Sequence, residues 1–164
     1  MAAARGRVAI ACTVALGMAV LSACAPSGKS AGPSGDLILK PDGLGVAGTG
    51  LEIGFGRAQA GAVQAVTRVL GEPPGGSGSL PACSGGSLAT VNWAGGFSLA
   101  FRNGDLRGWH SGAGRVATAS GLRVGGSYPG VGPADGSFDS GGVRGRLGDD
   151  GRIAALWAGD ICPG

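Results

Sequence analysis

Histidine and charged residues are both scarce in this chain. His110 is the only histidine, and no two cysteines stand in a Cys-x-x-Cys spacing, so the sequence contains no pattern typical of a zinc site. Charged residues make up 14% of the chain, with a formal net charge of +3, which gives no basis for binding nucleic acid. We therefore expect no metal, no cofactor, no catalytic residue and no nucleic-acid partner.

The chain also lacks an apolar run long enough to cross a bilayer. Residues 8–20 form an apolar run, but it is shorter than the roughly 20 residues that a membrane-spanning helix needs. The run follows Arg5 and Arg7 and leads into three small or apolar residues and then Cys24. This order resembles a bacterial lipoprotein signal peptide. The residues directly before the cysteine are Leu21, Ser22 and Ala23.

The resemblance implies that residues 1–23 are removed and that Cys24 becomes the new N-terminus. Its thiol would carry a diacylglycerol and its amine a further acyl chain such as palmitate. Each buried methylene contributes about 0.8 kcal/mol, so two or more chains give a stable anchor. We therefore expect a lipid-anchored protein on the extracytoplasmic face of the cell membrane. The alternative is an ordinary secretory signal cut elsewhere, with Cys24 unmodified.

Four cysteines are present, and the expected signal peptide and lipid anchor use two of them. Cys12 lies in the signal segment and Cys24 would be acylated, which leaves Cys83 and Cys162. In an oxidising compartment these two are expected to form a disulfide. Closing so long a loop stabilises the fold by about 4 kcal/mol in the chain-entropy model. Two free buried thiols are the alternative.

Glycine is abundant, with 37 residues besides 9 prolines, and glycine supplies no side chain to a core. Residues 25–35 contain only Gly, Ser, Pro and Ala with one lysine, a composition typical of a flexible tether. We divide the chain into a signal peptide (1–23), a lipidated cysteine with its tether (24–41) and one domain (42–164). The domain should combine a small core with glycine-rich loops.

One helix and two hairpins are predicted within the domain. Apolar residues recur at helical spacing over residues 57–70, and Gly71 followed by Pro73 should end that helix. Residues 88–93 and 97–101 alternate as strands do. The Asn103-Gly104 pair then predicts a two-residue turn, with Arg102 opposite Asp105 and Phe101 opposite Leu106. Residues 143–147 and 152–157 predict a second hairpin. The predicted helical apolar stripe consists of Ala60, Val63, Val66 and Leu70, with Thr67 and Val69 beside them.

The two halves of the domain look related. Residues 50–54 (Gly-Leu-Glu-Ile-Gly) reappear as residues 121–125 (Gly-Leu-Arg-Val-Gly), and each is followed by a turn, an apolar strand and a tryptophan, Trp109 or Trp157. We interpret this as an imperfectly duplicated helix-plus-hairpin unit. The second copy has a poor helix sequence, because residues 125–138 contain two prolines and five glycines. The predicted fold class is α+β, with one or two small antiparallel sheets and at least one packed helix.

A Gly-Leu-x-hydrophobic-Gly opening, a helix ending in Leu-Gly-x-Pro and a C-terminal cysteine resemble secreted actinobacterial lipoproteins of unknown function. The repeat plan is more distantly similar to the β-lactamase inhibitor protein and to outer-membrane assembly lipoproteins of the SmpA/OmlA type. The resemblance covers roughly residues 42–162. It implies a protein that presents a sheet or loop surface to a protein partner.

We therefore expect an envelope accessory or binding protein and not an enzyme. Its partners would be membrane lipid through Cys24 and an envelope protein or cell-wall polymer. Any exposed member of the three tryptophans would be the first candidate for a partner surface. The alternatives are a hydrolase-like envelope enzyme and a purely structural protein; His110 and Ser111 do not fit a nucleophile elbow, which requires Gly-x-Ser-x-Gly. The tryptophans are Trp93, Trp109 and Trp157.

A possible anionic partner is suggested by the arginines of the second hairpin. Arg144, Arg146 and Arg152 are placed to line one of its faces. Such a face would suit an anionic cell-wall polymer, although exposed strand arginines more often serve solubility.

Overall fold

A computed structural model of the chain describes residues 36–132 and 134–163, which form two sheets and one helix. The single helix, α1, is Gln59–Leu70. The strands are β1 Leu37–Lys40, β2 Gly43–Val46, β3 Glu52–Gly54, β4 Gly76–Pro81, β5 Ser87–Trp93, β6 Phe97–Arg102, β7 Asp105–Ser111, β8 Ala117–Thr118, β9 Ser137–Ser140, β10 Val143–Leu147 and β11 Ile153–Gly159.

The small sheet has the strand order β3-β2-β1-β8. Strands β1, β2 and β3 pair in antiparallel fashion, and β8 adds to β1 in parallel. Leu37 and Leu39 of β1 are both buried, because alternate residues of a strand point to the same face. This first strand therefore contributes two core leucines from within the segment assigned to the tether.

The large sheet has the order β4-β5-β6-β7-β11-β10-β9 and is antiparallel throughout. Strands β4 to β7 follow one another in sequence and in space, as do β9 to β11. The two runs meet at one pair of strands, β7 and β11, whose register places Trp109 opposite Ala158. The centre of the sheet is thus formed by strands that are far apart in the chain.

The core lies between the inner face of the large sheet, the small sheet and α1. Phe97, Leu99 and Leu106 of the large sheet are completely buried in one cluster with Ile53 of the small sheet and Val66 of the helix. Burying a side chain of this size contributes roughly 1.5–3 kcal/mol. The predicted α+β fold with antiparallel sheets is confirmed.

A hydrogen bond ties the two sheets together within this core. The Trp109 indole Nε1 donates to the Lys40 carbonyl oxygen at 2.7 Å. This bond satisfies the polar edge of a side chain that is 0% exposed, as a buried tryptophan requires.

The helix begins two residues later than predicted and ends where predicted. It starts at Gln59 and not at residue 57. Gly71 follows its last turn in the left-handed conformation, with φ of 71°, which favours glycine. Its fully buried residues are Ala62 and Val66, whereas Ala60 is exposed, so the apolar stripe is rotated from the one predicted.

The first hairpin confirms the predicted turn and register. Asn103 and Gly104 have φ angles of 54° and 83°, as a type I′ turn requires. Phe101 lies opposite Leu106, but Ala100 lies opposite Gly108, so β7 contains one extra residue, a bulge. The second hairpin has a bulge at the equivalent place in β11. Because of the extra residue, side chains beyond the bulge point to the face opposite to the one that uninterrupted alternation would give them.

The duplicated helix-plus-hairpin unit is not confirmed. The part of the chain that the structure describes has one helix, and residues 121–126 contain no helix or strand. The two tryptophans on which the predicted repeat was partly based also lie on opposite faces of the sheet. Trp109 packs in the main core, while Trp157 packs in a second cluster on the outer face.

Candidate functional site

The outer face of the large sheet carries one row of side chains that crosses all of its strands. Directly opposed residues on antiparallel strands share a face, so the pairing registers define this cross-sheet row. From β4 to β9 it consists of Gly76, Asn92, Ser98, His110, Trp157, Arg144 and Asp139. Around Trp157 the outer face is covered, and we call this part the covered half; around Asn92 and Ser98 it is open, and we call this part the open half.

The covered half is closed by residues 160–163, which we call the strap. Ile161 of the strap is completely buried and forms an antiparallel bridge with Ala82. It packs with Leu88, Ala100 and Trp157 in a second apolar cluster. The strap thus removes from water the apolar side chains of this part of the outer face.

Two glycines let the strap approach the sheet. A Cβ at Gly108 would lie 2.8 Å from Ile161 Cγ1 and 2.7 Å from the Ala158 carbonyl oxygen. At Gly159, where φ is +84°, a Cβ would lie 2.1 Å from the Arg107 carbonyl oxygen. Only glycine combines that backbone conformation with so close an approach.

A disulfide and an arginine hold the strap in place. Cys83 and Cys162 are bonded, which confirms the predicted pairing. The guanidinium of Arg144 donates to the Gly159 and Ile161 carbonyl oxygens at 2.5 and 2.9 Å, and its other nitrogen lies 3.4 Å from Cys83 Sγ. Arg144 therefore stabilises the strap and is not available as a surface charge.

An acidic residue at the start of the strap adds a third attachment. Asp160 accepts hydrogen bonds from the Ser84 backbone N–H at 2.8 Å and from the Ser84 hydroxyl at 2.5 Å. These bonds, and more weakly the charge of Arg102 at 3.4 Å, lower the pKa of the Asp160 carboxyl. The strap is thereby fixed to the loop between β4 and β5 over its whole length.

The open half contains a depression of about 400 Å³ over β4 to β7. None of the side chains that line it is charged. The polar lining residues are Ser79, Thr90, Asn92, Ser98 and His110. The lining also includes three glycines, Leu80 and Trp93. Gly78 leaves the polar groups accessible, because a Cβ there would lie 3.3 Å from Thr90 Oγ1 and 3.6 Å from Asn92 Nδ2.

His110 lies half-buried between the two halves. Burial, and then the positive charge of Arg146, lower the pKa of its imidazole. A lowered pKa keeps the ring neutral at physiological pH, and a neutral imidazole offers one donor and one acceptor. Its cross-strand neighbours are Ser98 on one side and Trp157 on the other.

The three tryptophans proposed as a partner surface are all buried. Trp93 is 3% exposed, Trp109 0% and Trp157 9%, so an exposed aromatic face made by these residues is not what the structure shows. The Trp93 side chain packs with Phe97 in the main core, so it points away from the depression although the residue stands at its edge. The indole N–H groups of Trp93 and Trp157 are buried and find no acceptor among the described residues.

The serine beside His110 in sequence is not its neighbour in space. Ser111 is completely buried, and its hydroxyl contacts the Ala113 carbonyl oxygen at 2.9 Å. Successive residues of a strand point to opposite faces, so Ser111 faces the core and His110 faces outward. The sequence missed Ser98, which lies directly opposite His110; only the strand register reveals this pair.

The remaining sequence predictions divide between described and undescribed residues. Cys24 and residues 25–35 lie outside the described part of the chain. Within residues 36–132 and 134–163 there is no cluster of side chains suited to a metal ion, and no helix is both long and apolar enough to cross a membrane. Of the three arginines of the second hairpin, Arg152 donates to the Gly125 carbonyl oxygen at 2.9 Å, while Arg146 is exposed.

No family model, curated protein or solved structure matches the chain.

Proposed function

We propose that this chain is a lipid-anchored extracytoplasmic protein that binds an envelope component at the open half of its large sheet. The observation that supports binding is the depression of about 400 Å³, whose lining is uncharged and combines apolar surface with five polar side chains. It lies beside a strap that is fixed by a disulfide. A rigid, partly polar concavity is the usual form of a binding site.

The lining favours binding over chemistry. Hydrolysis by a serine requires a nucleophile, a base and a group that orients the base. Ser98 and His110 lie opposite each other, but the side chains lining the depression include no carboxylate. The Ser98–His110 pair makes a hydrolase-like envelope enzyme the second candidate.

The anchor is proposed from the sequence. The signal-like segment ends at Cys24, and β1 begins at Leu37, which leaves 12 residues between them (36 − 24). A glycine- and serine-rich tether of that length has a root-mean-square reach of roughly 17–21 Å. The domain would stay close to the membrane surface, where an envelope component is within reach.

A duplication is proposed for the two hairpins only. Leu106 and Ile153 occupy the same place in their hairpins, each directly before the bulged residue. The shared bulge supports a common origin of β6–β7 and β10–β11.

Photocrosslinking in cells tests the binding site. A photoreactive residue in place of Gly76, which lies on the outer face beside Asn92, should capture an envelope component. The same residue in place of Ser137, which is exposed on the outer face of β9, should not. Equal adducts from both positions, or none from either, would refute a site at the open half.

The same cells test the anchor and the second candidate. The intact mass of the membrane-extracted chain should fit residues 24–164 plus lipid, and Cys24→Ala should move the protein out of the membrane fraction. If the protein were a hydrolase, His110→Ala would abolish turnover of an envelope substrate. We expect His110→Ala to weaken binding without accumulation of an uncleaved substrate.

A further inference from the structure

The free edge of β4 differs from the other edges of the two sheets. Proteins commonly protect an edge strand by keeping it short or by placing charges on it, because its unpaired backbone groups can bond to another chain. The edge strands β3 and β8 have three and two residues. Strand β9 carries Asp139, and its Ser137 N–H already donates to the Asp135 carboxylate at 3.0 Å. Strand β4 has six residues and no charged side chain, so it has neither form of protection.

Pairing with β5 determines which backbone groups of β4 are free. The Ala82 N–H donates to the Gly86 carbonyl oxygen at 3.1 Å, in the same register as β4 with β5. In an antiparallel pair every second residue bonds to the neighbouring strand, so Gly78 bonds to β5. Ser77 and Ser79 therefore direct their N–H and C=O groups away from β5. Among the described residues no strand pairs with β4 on that side, and both serines are exposed.

The strap shows that this edge accepts an added strand. The Cys162 N–H donates to the Pro81 carbonyl oxygen at 3.1 Å, and the Cys83 N–H donates to the Asp160 carbonyl oxygen at 3.0 Å. These bonds lie on the side away from β5, because they use alternate residues of the same series as the free groups. The strap therefore occupies one end of the edge and leaves the rest of β4 open.

The depression lies directly beside this free edge. Gly78, Ser79 and Leu80 of β4 are among its lining residues. Side chains of an added strand would alternate between the two faces of the sheet, so every second one would lie on the outer face, next to the depression. The exposed lining is mainly apolar, and none of the lining side chains is charged. An uncharged side chain fits there, whereas a charged one would lose hydration without a compensating charge.

We propose that an extended segment of an envelope protein adds to the large sheet as a new edge strand at Ser77 and Ser79, with uncharged side chains directed into the depression. The proposal rests on the proposed binding function and names the chemistry of the partner. In strand addition, hydrogen bonds between the main chains give affinity, and pockets for alternate side chains give specificity. The β4 edge supplies the first and the depression supplies the second.

A second copy of this chain fits the edge less well than a separate segment. Antiparallel pairing of two β4 strands about Gly78 would place Gly75 of one copy opposite Pro81 of the other. The Pro81 carbonyl oxygen already accepts from Cys162 of the strap, and the Gly75 N–H already donates to the Asn92 carbonyl oxygen. A partner segment that turns away before the strap avoids this conflict.

Two substitutions at one position test strand addition in cells. Ser79→Pro removes the outward N–H, and proline is tolerated on an edge strand when its nitrogen faces away from the neighbouring strand. Ser79→Ala keeps that N–H and removes only the hydroxyl. Each is combined with the photoreactive residue at position 76 in the full chain. We expect Ser79→Pro to reduce the crosslinked protein adduct at least about 10-fold, because a hydrogen bond is lost and the ring blocks a neighbouring strand, and Ser79→Ala to retain it.

A stability measurement accompanies these two variants. Their denaturation midpoints should agree, since the Ser79 N–H does not bond to β5. If Ser79→Pro lowers the midpoint, Ser77→Pro and Ser77→Ala replace the pair, because Ser77 belongs to the same series of outward residues.

A synthetic peptide tests recognition of the backbone in vitro. The probe is acetyl-Lys-Gly-Thr-Val-Thr-Val-Thr-Gly-Lys-amide at millimolar concentration, added to the full chain in detergent. Hydrogen exchange followed by nuclear magnetic resonance should show that it slows exchange of the Ser77 and Ser79 N–H groups at least about 5-fold. The same peptide with N-methylated threonines and valines is the control. It keeps every side chain but has lost the donors of its central residues, so it should give no protection.

The outcomes distinguish strand addition from the binding function. Loss of the adduct in Ser79→Pro, together with protection by the unmethylated peptide alone, supports the proposal. An adduct that survives Ser79→Pro, or that contains no protein or only a second copy of this chain, overturns the added strand and leaves binding at the open half standing. Equal effects of the two peptides, or none from either, also overturn it. Absence of any adduct from position 76 refutes the binding function, and a peptide that still protects Ser77 and Ser79 then shows that the edge itself accepts a strand.

Discussion

The covered and the open half of the outer face belong to the same sheet but differ in what contacts their side chains. On β5, Leu88 belongs to the covered half and is completely buried, whereas Asn92 belongs to the open half and is half-buried. The apolar residue needs a cover, and the strap supplies it with Ile161. The polar residue needs hydrogen-bond partners, which solvent or a ligand can supply. The covered half of this surface therefore contributes to stability, whereas the open half is available for binding.

Among the changes that test this comparison, removal of the disulfide should lower the free energy of unfolding most. Replacing both Cys83 and Cys162 by serine removes the covalent hold on the strap and lowers the free energy of unfolding by about 4 kcal/mol. Denaturant unfolding measures the loss. The open half should keep its Asn92 side-chain amide signals in nuclear magnetic resonance spectra of the folded state. A perturbation of the Asn92 signals as large as that of residues beside the strap would show that the halves are not independent.

Two substitutions on one strand compare the halves directly. Leu88→Ala should lower the free energy of unfolding by about 3 kcal/mol, because it leaves a cavity beneath the strap. Asn92→Ala should change it by less than about 1 kcal/mol. Both point outward from β5, so backbone effects are matched. Similar losses in the two variants would contradict the division of the face.

Substitution of Arg144, the arginine of the cross-sheet row, should lower the free energy of unfolding by an intermediate amount. Arg144→Met keeps the aliphatic stem but leaves the Gly159 and Ile161 carbonyl oxygens without their donor. We expect about 2 kcal/mol of destabilisation and faster reduction of the disulfide by an added thiol. Arg123→Met is the control at an exposed arginine. If both variants behave alike, Arg144 does not hold the strap.

The smallest effect is a dependence of stability on pH at the boundary between the halves. The pKa of His110 is lowered by burial and by Arg146, while its neighbours Ser98 and Trp157 are uncharged. The unfolded chain therefore binds a proton more readily, so the stability from this residue is fully present above about pH 6.5 and is lost as pH falls towards the lower folded value.

The matching variant is His110→Gln, which removes this component. Denaturation midpoints measured between about pH 5 and 7 should vary less in His110→Gln than in the parent chain. Ser98→Ala keeps the imidazole and should retain the parent slope. An unchanged slope in His110→Gln would mean that another group is responsible.

Local signals predicted much of the fold. The Asn103-Gly104 turn fixed the register of the first hairpin, since both residues adopt the positive φ that this turn needs. The helix was predicted from its apolar spacing and from Gly71. The disulfide followed from counting cysteines in an exported chain. Each of these predictions depends on residues close in sequence, or on chemistry that does not depend on the fold.

The features that the sequence did not predict depend on pairing between strands that are distant in the chain. Strand β4 has exposed glycines and serines, so no alternating pattern identified it. Trp157 was expected to match Trp109, but the register of β7 with β11 places it opposite His110, on the outer face. That register depends on strands brought together across residues 112–152. The cross-sheet row and its depression were therefore not accessible from the sequence.

The placement of the disulfide has a consequence for a chain that is cut by a protease. Val131 is 96% exposed, and cleavage beside it would divide the large sheet at the loop between its two strand runs. Cys83 would lie on one fragment and Cys162 on the other. The pieces would migrate as one species on a non-reducing gel and separate only after a thiol is added, so a nicked molecule can remain whole in an oxidising environment.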